Sequence, residues 1–591
     1  MPARIAFLAI ALLVSDSALH AEERLGPALT RLLQSVPQSS PLTAWVFFRD
    51  KPGRPDSETR RILSDRSLTR RKKMEGNAAI PHLTDIPIDE EYVATVNRHV
   101  VRLRQRSRWF NGISVVVHPD SLHGLLAYPF VRQIELVVRY KRENWQPVGD
   151  TSPPDRASGF LSPVSSTIDY GPSFDQLNQI GVPAVHDSGN FGENVMIGVF
   201  DNGFRLLHHE AFDSMNIVAT YDFVDRKTSV IPNNPSSSFG GHGINSLSVI
   251  GGYVPGQLVG PAFRASYVLA RTENDSSETP FEEDNWVAAI EWADSIGVDV
   301  TSTSLVYREY DSPFQGWTWE DMDGNSTMIT RAADLAVSKG IVVVNSAGNF
   351  GGPFVSGQNT LGAPGDGDSV LTVGAVDGAG ARASFSSVGP TTANPPKTKP
   401  DVMARGLQVR AASATDPLGY IGTFTGTSAA CPLVAGAAAL VLNRFPDLGP
   451  VEIMNALRQT ASNASSPNDL IGWGIANTAA AIRFLDLQLN PPPLPDRPVI
   501  LQNFPNPFNS TTRIRFGLPG PANVKLEVFN SLGQSIRTLI AEPRNAGWYE
   551  QPWDGRDKRS TPVASGVYLY LLSTDGGTGL QVTDSKGVLI R

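Results

Sequence analysis

Between residues 173 and 487, apolar runs of strand length alternate with stretches of helical length and spacing. Residues 195–200, 266–270, 298–304, 341–346 and 370–376 read as strands. Residues 282–296, 327–339, 429–445 and 450–460 read as helices. Strands separated by helices do not pair as hairpins; they build a parallel sheet with helices on both faces. The predicted class is therefore α/β. Such sheets place their functional groups at the carboxyl ends of strands, which is where chemistry is to be sought.

The flanks differ. Behind Arg4, an apolar run over 5–14 and small residues up to Ala21 predict a secretory signal at 1–21. That run is too short to span a bilayer, and no other reaches the length of a membrane helix, so no transmembrane segment is predicted. Residues 22–165 read as a small α+β body, with strands at 44–49, 112–118 and 133–138 and helices at 92–101 and 121–126. Inside it Arg70, Arg71, Lys72 and Lys73 form a basic run, read as solvated surface, with processing or partner docking as the alternative. The stretch 142–172, polar and rich in Ser and Pro, reads as a junction, and the α/β body is placed at 166–488. A stiff proline-rich linker at 489–497 follows. Residues 498–591 carry short strands between Gly, Pro and Asn turns, which predicts a small all-β sandwich.

Composition closes some doors. With 50 Lys and Arg against 58 Asp and Glu, the net charge is −8, so the chain is not basic overall and no nucleic-acid partner is expected. The single cysteine, Cys431, excludes an intramolecular disulfide and a thiolate zinc cluster.

Four places in the α/β body carry chemistry. The strand at 195–200 runs into Asp201-Asn202-Gly203, a carboxylate at a strand's carboxyl end. Gly240-Gly241-His242-Gly243 precedes a helical stretch at 244–250, and the flanking glycines let backbone pass close to the imidazole. The strand at 341–346 leads to Asn349, whose amide can donate to an oxyanion. Gly426-Thr427-Ser428 opens a helix of small residues, so Ser428 sits among free helix amides that favour negative charge.

In this order and with these surroundings, Asp201, His242, Asn349 and Ser428 resemble the subtilisin-like serine proteases. Also similar are Val373-Gly374-Ala375-Val376-Asp377, the stretch Arg382-Ala383-Ser384-Phe385-Ser386-Ser387-Val388-Gly389-Pro390, Lys399-Pro400-Asp401-Val402-Met403-Ala404 and Trp473-Gly474-Ile475-Ala476-Asn477. The resemblance covers about residues 173–487. It implies a subtilisin-like sheet and a secreted serine endopeptidase working through an acyl-enzyme on Ser428. His242 would be its general base, Asp201 the group orienting that base, and Asn349 the oxyanion donor. It further implies that Ser302, Ser304 and Leu305 pair with substrate backbone, and that Ser346, Ala347 and Gly348 form the opposite wall. Proteins or peptides would be its substrates. No cofactor is required for such chemistry. A structural calcium is allowed, with Asp321, Asp323 and Asn325 as candidate ligands.

By position and pattern, the body at 22–165 resembles the family's inhibitory propeptide, an intramolecular partner. The C-terminal body resembles the sorting domains of bacterial type IX secretion. That resemblance rests on Asn503-Phe504-Pro505-Asn506-Pro507-Phe508-Asn509, Gly566-Val567-Tyr568-Leu569-Tyr570 and Lys586-Gly587-Val588-Leu589-Ile590-Arg591, and it implies the secretion machinery as a partner.

The rival class is an inert binding or surface protein that kept the fold. A lipase or esterase order, Ser before acid before His, is excluded because no histidine follows Ser428. His208-His209-Glu210 lacks the second histidine of a zinc motif, since position 213 is Asp213. Departures from common family residues are Asn202 in place of Ser or Thr, Ile244 in place of Thr, Val306 in place of Gly, Ala429 in place of Met or another bulky residue, and Cys431 in place of Ala. Cys431 is expected to be buried and not catalytic.

Overall fold

The computed structural model describes residues 24–33, 40–52, 62–75, 82–137, 139–140, 168–233, 240–312, 314–352, 357–489, 493–503, 506, 508, 512–576 and 579–589. The predicted signal at 1–21 lies outside these residues, as does nearly all of the predicted junction at 142–172. The chain divides into two compact units, Met1–Phe484 and Leu485–Arg591.

The first unit is built on a sheet of seven strands. These are β5 (Met196–Asp201), β6 (Asn216–Asp222), β7 (Ser266–Arg271), β8 (Val300–Thr303), β9 (Val342–Ser346), β10 (Leu371–Val376) and β11 (Val402–Arg405). They lie in the order β11-β10-β9-β8-β5-β7-β6, every pairing parallel. Strands β8, β9 and β10 are buried along their whole length, as expected where helices cover both faces. After β7 the chain crosses to the far side of β5 to begin β8, so the order reverses at β5. The carboxyl ends of β5 and β8 therefore flank the crevice where such sheets hold their sites.

After α4 (Met328–Ser338), α5 (Thr427–Arg444) runs through the middle, with every residue from Thr427 to Val441 buried. By length and apolarity α5 would also suit a membrane span, but 83% of it is buried inside the protein, as befits a core helix. Pro432 sits inside α5 and has no N–H to give to the carbonyl of Ser428 four residues earlier. The Ser304 hydroxyl donates to that carbonyl instead, at 2.9 Å.

The N-terminal body contains α1 (Asp65–Glu75) and a four-stranded sheet. Its strands are β1 (Leu42–Phe48), β2 (Arg102–Ser107), β3 (Gly112–Val117) and β4 (Val131–Leu136), in the order β2-β3-β1-β4. One face buries Val46, Ile113, Val115, Leu122 and Ile134 among others. The opposite face meets α3 (Phe281–Ile296) of the large sheet's helical layer. There the Trp45 indole donates to Asp284 at 2.9 Å, Gln105 donates to Asn285 at 2.8 Å, and the Arg108 amide donates to Glu291 at 3.1 Å.

Only the second half of the basic run is solvated surface: Lys72 and Lys73 are exposed, whereas Arg70 and Arg71 are not. Arg70 and Arg71 are 4% and 0% exposed and both pair with Asp294 on α3; Arg71 also donates to Asp85 at 2.6 Å. Charged residues enter an interior only when matched this way. Neither α1 nor strand β2, half of whose residues are arginine, was visible as an element in the sequence.

Past Leu489, where a helix ends, the described residues of the second unit hold two β-sheets. Its three-stranded sheet holds β12 (Val499–Ile500), β13 (Thr512–Leu518) and β16 (Gly547–Trp553). Its four-stranded sheet holds β14 (Ala522–Asn530), β15 (Ser535–Arg544), β17 (Gly566–Gly576) and β18 (Gly579–Leu589). Val524, Leu526 and Val528 alternate inward along β14 and join Ile514, Phe516, Trp553 and Tyr570 in one core.

Candidate active site

Asp201 ends β5 and is fully buried. His242 is the second residue of α2 (Gly241–Gly251), which begins three residues earlier than its periodicity predicted. The first turn of α2 lies hard against the end of β5: a Cβ on Gly243 would stand 2.2 Å from the Gly203 carbonyl oxygen. That approach brings His242 Nδ1 to 2.7 Å from Asp201 Oδ1. The imidazole side chain keeps 32% of its surface open while Asp201 keeps none, so a substrate can reach the first and not the second. Asp201 Oδ1 also accepts the Asn202 amide at 2.8 Å. Burial disfavours a charged imidazolium, but the charge and hydrogen bond of Asp201, aided by the charge of Asp275, outweigh it. His242 is held above its ordinary value of 6.5. The edge of His242 meets the Phe424 ring, with centroids 5.5 Å apart.

Ser428 is the second residue of α5, where backbone amides have no partner inside the helix. Gly426 before it has φ 138°, a conformation that side chains rarely adopt. A Cβ there would stand 2.7 Å from Ser428 Oγ and 3.3 Å from Asn349 Nδ2, so both atoms converge on the open side of Gly426. Asn349 is oriented for this. Its Oδ1 accepts the amide of Thr427 at 2.9 Å and the Thr427 hydroxyl at 3.0 Å, which leaves Nδ2 facing the same space as Ser428 Oγ. A carbonyl oxygen in that space would meet a hydroxyl, an amide donor and a helix start together.

The expected substrate-contact residues separate into two sets. Ser302 lies in the middle of β8, with its main chain in register with Val199 on one side and Val344 on the other. An interior strand spends its ladder on its neighbours, so Ser302 offers no edge to a substrate. Ser304 and Leu305 lie beyond the strand's end. The Leu305 carbonyl accepts from Asn345 at 3.0 Å, and Ser304 supports Ser428 as described. Ser346 ends β9, Ala347 donates to the Val373 carbonyl at 2.9 Å, and Gly348 donates to Thr427 at 3.2 Å, which puts this wall beside the start of α5.

The calcium candidates serve their own turns. Asp321 accepts the amide and hydroxyl of Thr318, both at 2.9 Å, and Asp323 accepts the amides of Asn325 and Ser326 at 2.8 and 2.7 Å. These acceptors close the local turns. Glu273, Glu278 and Glu282 do bring carboxylate oxygens within 4.8 Å of one another. Burial, then mutual repulsion, pushes Glu282 up to about 10; burial also pushes Glu273 up to about 8, although it accepts a bond from Tyr307. Cys431 is buried, donates to the Thr303 carbonyl at 3.3 Å, and has its thiol pushed up to about 12 by burial, which keeps it un-ionised. Sequence reasoning passed over Asp275 and Phe424. Asp275 reaches the site from a distant segment and its local sequence does not mark it; Phe424 stands only four residues before Ser428, and its packing against His242 shows only in the fold.

The Subtilase family model matches residues 192–474, a model of the peptidase S8 propeptide domain of Bacteroidota matches 43–151, and a FlgD Ig-like domain model matches 503–577. Subtilisin of Bacillus pumilus is 32% identical over 54% of this chain and 99% of its own length. Subtilisin DY of Bacillus licheniformis is 32% identical over 54% of this chain and 99% of its own length. A solved protease structure from Pseudoalteromonas arctica is 24% identical over 54% of this chain and 99% of its own, with a TM-score of 0.42. An α/β body that covers nearly the whole of such subtilisins, behind an S8 propeptide domain, identifies the chain as a member of the subtilase family of serine-type endopeptidases.

Proposed function

We propose that the protein is an exported endopeptidase that hydrolyses peptide bonds through an acyl-enzyme on Ser428. The observation that carries this reading is the convergence of Ser428 Oγ and Asn349 Nδ2 on the open side of Gly426, with the Asp201–His242 pair in the same body. A serine hydroxyl is neutral at pH 7 and needs a base. His242 Nε2 takes the hydroxyl proton as Oγ bonds to the scissile carbonyl carbon. The carbonyl oxygen, now negative, is held by Asn349 Nδ2 and the Ser428 amide. The C–N bond then breaks, the leaving amine takes the proton from His242, and water repeats the sequence to release the acyl group. Asp201 keeps Nδ1 protonated and stabilises the imidazolium.

The test is labelling with a fluorophosphonate, mapped by peptide mass. Stoichiometric modification of Ser428 in a protein that also digests casein supports the reading; a chain that neither labels nor digests after propeptide removal is an inert binding protein. Asn349→Ala should lower kcat by about 10²–10³-fold with KM little changed, the order lost with the corresponding donor of subtilisin. The base must be neutral to act, and His242 is held above 6.5. As pH falls, kcat/KM should therefore decline through a midpoint above 6.5, read with a chromogenic peptide anilide.

In this reading residues 1–21 direct export, 22–165 form the inhibitory propeptide, 166–488 the peptidase, 489–497 the linker and 498–591 the C-terminal module. That module acts as the sorting signal for type IX secretion, supported by the Asn503–Asn509 stretch and the FlgD Ig-like match. Several residues of that stretch, and the last two of the chain, lie outside the described residues. Deleting 498–591 should leave the peptidase inside cells that otherwise export it, as an immunoblot of cells and medium would show.

A further inference from the structure

A second hydrogen-bonded bracket stands behind the Asp201–His242 pair. The Asn202 carboxamide uses both of its ends. Its Oδ1 accepts the amide of Gly243 at 3.0 Å, and its Nδ2 donates to Asp275 Oδ1 at 2.5 Å. The other oxygen of Asp275 accepts the amide of Gly240 at 2.9 Å. The amides two residues before and one residue after His242 thus end on one linked pair of side chains. These are start-of-helix donors with no partner inside α2, and they would otherwise fall to water. The Asn202 amide itself donates to Asp201 Oδ1, the same oxygen that faces His242 Nδ1.

The bracket is anchored from below. Arg271, 3% exposed, donates from Nε to the Asn202 carbonyl at 3.1 Å and is itself held by Asp222 at 3.0 Å and Asp225 at 2.8 Å. Three separate segments are joined: the end of β5, the start of α2, and the chain after β7. A serine or threonine at position 202 would present one oxygen on a shorter arm, whereas a carboxamide has a donor and an acceptor on separate atoms.

We propose that Asn202, anchored by Asp275, is a positioning residue that sets the His242 imidazole against Asp201. The proposal rests on the reading of His242 as the general base. Neither residue touches the reacting atoms; both act through the start of α2. Asp275 has an electrostatic part as well. The groups facing His242 are the carboxylates of Asp201 and Asp275 and the ring of Phe424. Those facing Asp275 are the amides of Gly240 and Asn202, the Arg271 cation and the Asp201 carboxylate. Removing the Asp275 charge takes away one of the two charges that favour the imidazolium.

The test uses the processed enzyme for pH–rate profiles. A Ser428→Ala background is used for the downfield Nδ1 proton resonance of His242, which reports the Asp–His hydrogen bond whether or not the protein cleaves anything. Asn202→Ala should lower kcat about tenfold with KM unchanged, and should broaden or abolish that resonance. Asp275→Asn removes the charge and keeps one acceptor oxygen for two donors, Asn202 Nδ2 and the Gly240 amide, and should move the acid limb of kcat/KM down by about half a pH unit. Asn202→Ser should fall between wild type and Asn202→Ala in both readouts. A melting temperature lowered by Asn202→Ala with kcat, acid limb and resonance unchanged would overturn the proposal, because a merely structural residue behaves that way. An acid limb that does not move in Asp275→Asn would remove Asp275 from it. If the wild-type protein cleaves no substrate, the protease reading fails on its own and the resonance alone decides the bracket.

Discussion

Ser428→Ala is expected to lower casein hydrolysis by about 10⁶-fold, the order lost when subtilisin's nucleophile is removed, because the triad works as a unit. The Asp201–His242 pair and the Asn349 donor would remain in place, but the base would have no hydroxyl proton to take. The same variant should keep its propeptide. Intact-mass measurement after incubation should show wild type shortened by the segment before about residue 165 and the variant at full mass. A variant that still shortens itself in purified form would place the nucleophile elsewhere. The fold should survive, since the Ser428 carbonyl, which receives the Ser304 hydroxyl, belongs to the backbone.

Arg71→Ala should loosen the propeptide. The guanidinium is fully buried between Asp85 of the propeptide and Asp294 of the peptidase. Removing one partner of a buried pair costs about 3–5 kcal/mol, because the carboxylates left behind cannot return to water. Asp294 keeps Arg70 and has Arg108 at 3.4 Å, and Asp85 keeps Lys339 at 3.5 Å, which favours the lower end of that range. In the Ser428→Ala precursor, the substitution should lower the first denaturant-induced transition and speed cleavage of the propeptide by added chymotrypsin. Arg71→Lys, which keeps a charge but loses the planar fork, should lie between. An unchanged first transition would mean that the network is a bystander.

Acid acts on this latch in a defined direction. Burial alone would raise the Asp85 carboxyl, but Arg71 and Lys339 hold it down to about 2, against an ordinary 3.8. A carboxyl depressed on folding stabilises the docked state above its ordinary value and loses that contribution as pH falls through about 2. Mild acid therefore leaves the Asp85 contact intact.

The seven strands of the large sheet were mostly legible because both faces of such a sheet are covered. Val342-Val343-Val344 has no solvent side to encode, so it reads as one apolar run. The residues of the site were legible for a related reason. A strand end, a Gly-flanked histidine and a Gly-rich turn into a helix are local patterns, and the close approach at Gly243 and the positive φ at Gly426 require the glycines that make those patterns visible. Strand β6 was missed because it is an edge strand whose residues are mostly half-exposed, β11 because it is an edge strand of only four residues, and β2 because its exposed residues include charged ones.

From its sequence alone the chain declared a parallel α/β core, the order of its aspartate, histidine, asparagine and serine, and its flanking bodies, all written in short-range spacing. Tertiary structure alone decided that Ser302 is an interior ladder residue, that Arg70 and Arg71 are buried, and that Asn202 reaches Asp275. Each of these depends on which groups a folded chain brings together across tens to hundreds of residues. A charged or amide side chain carries no local mark of whether its partner will be water or a carboxylate from another element.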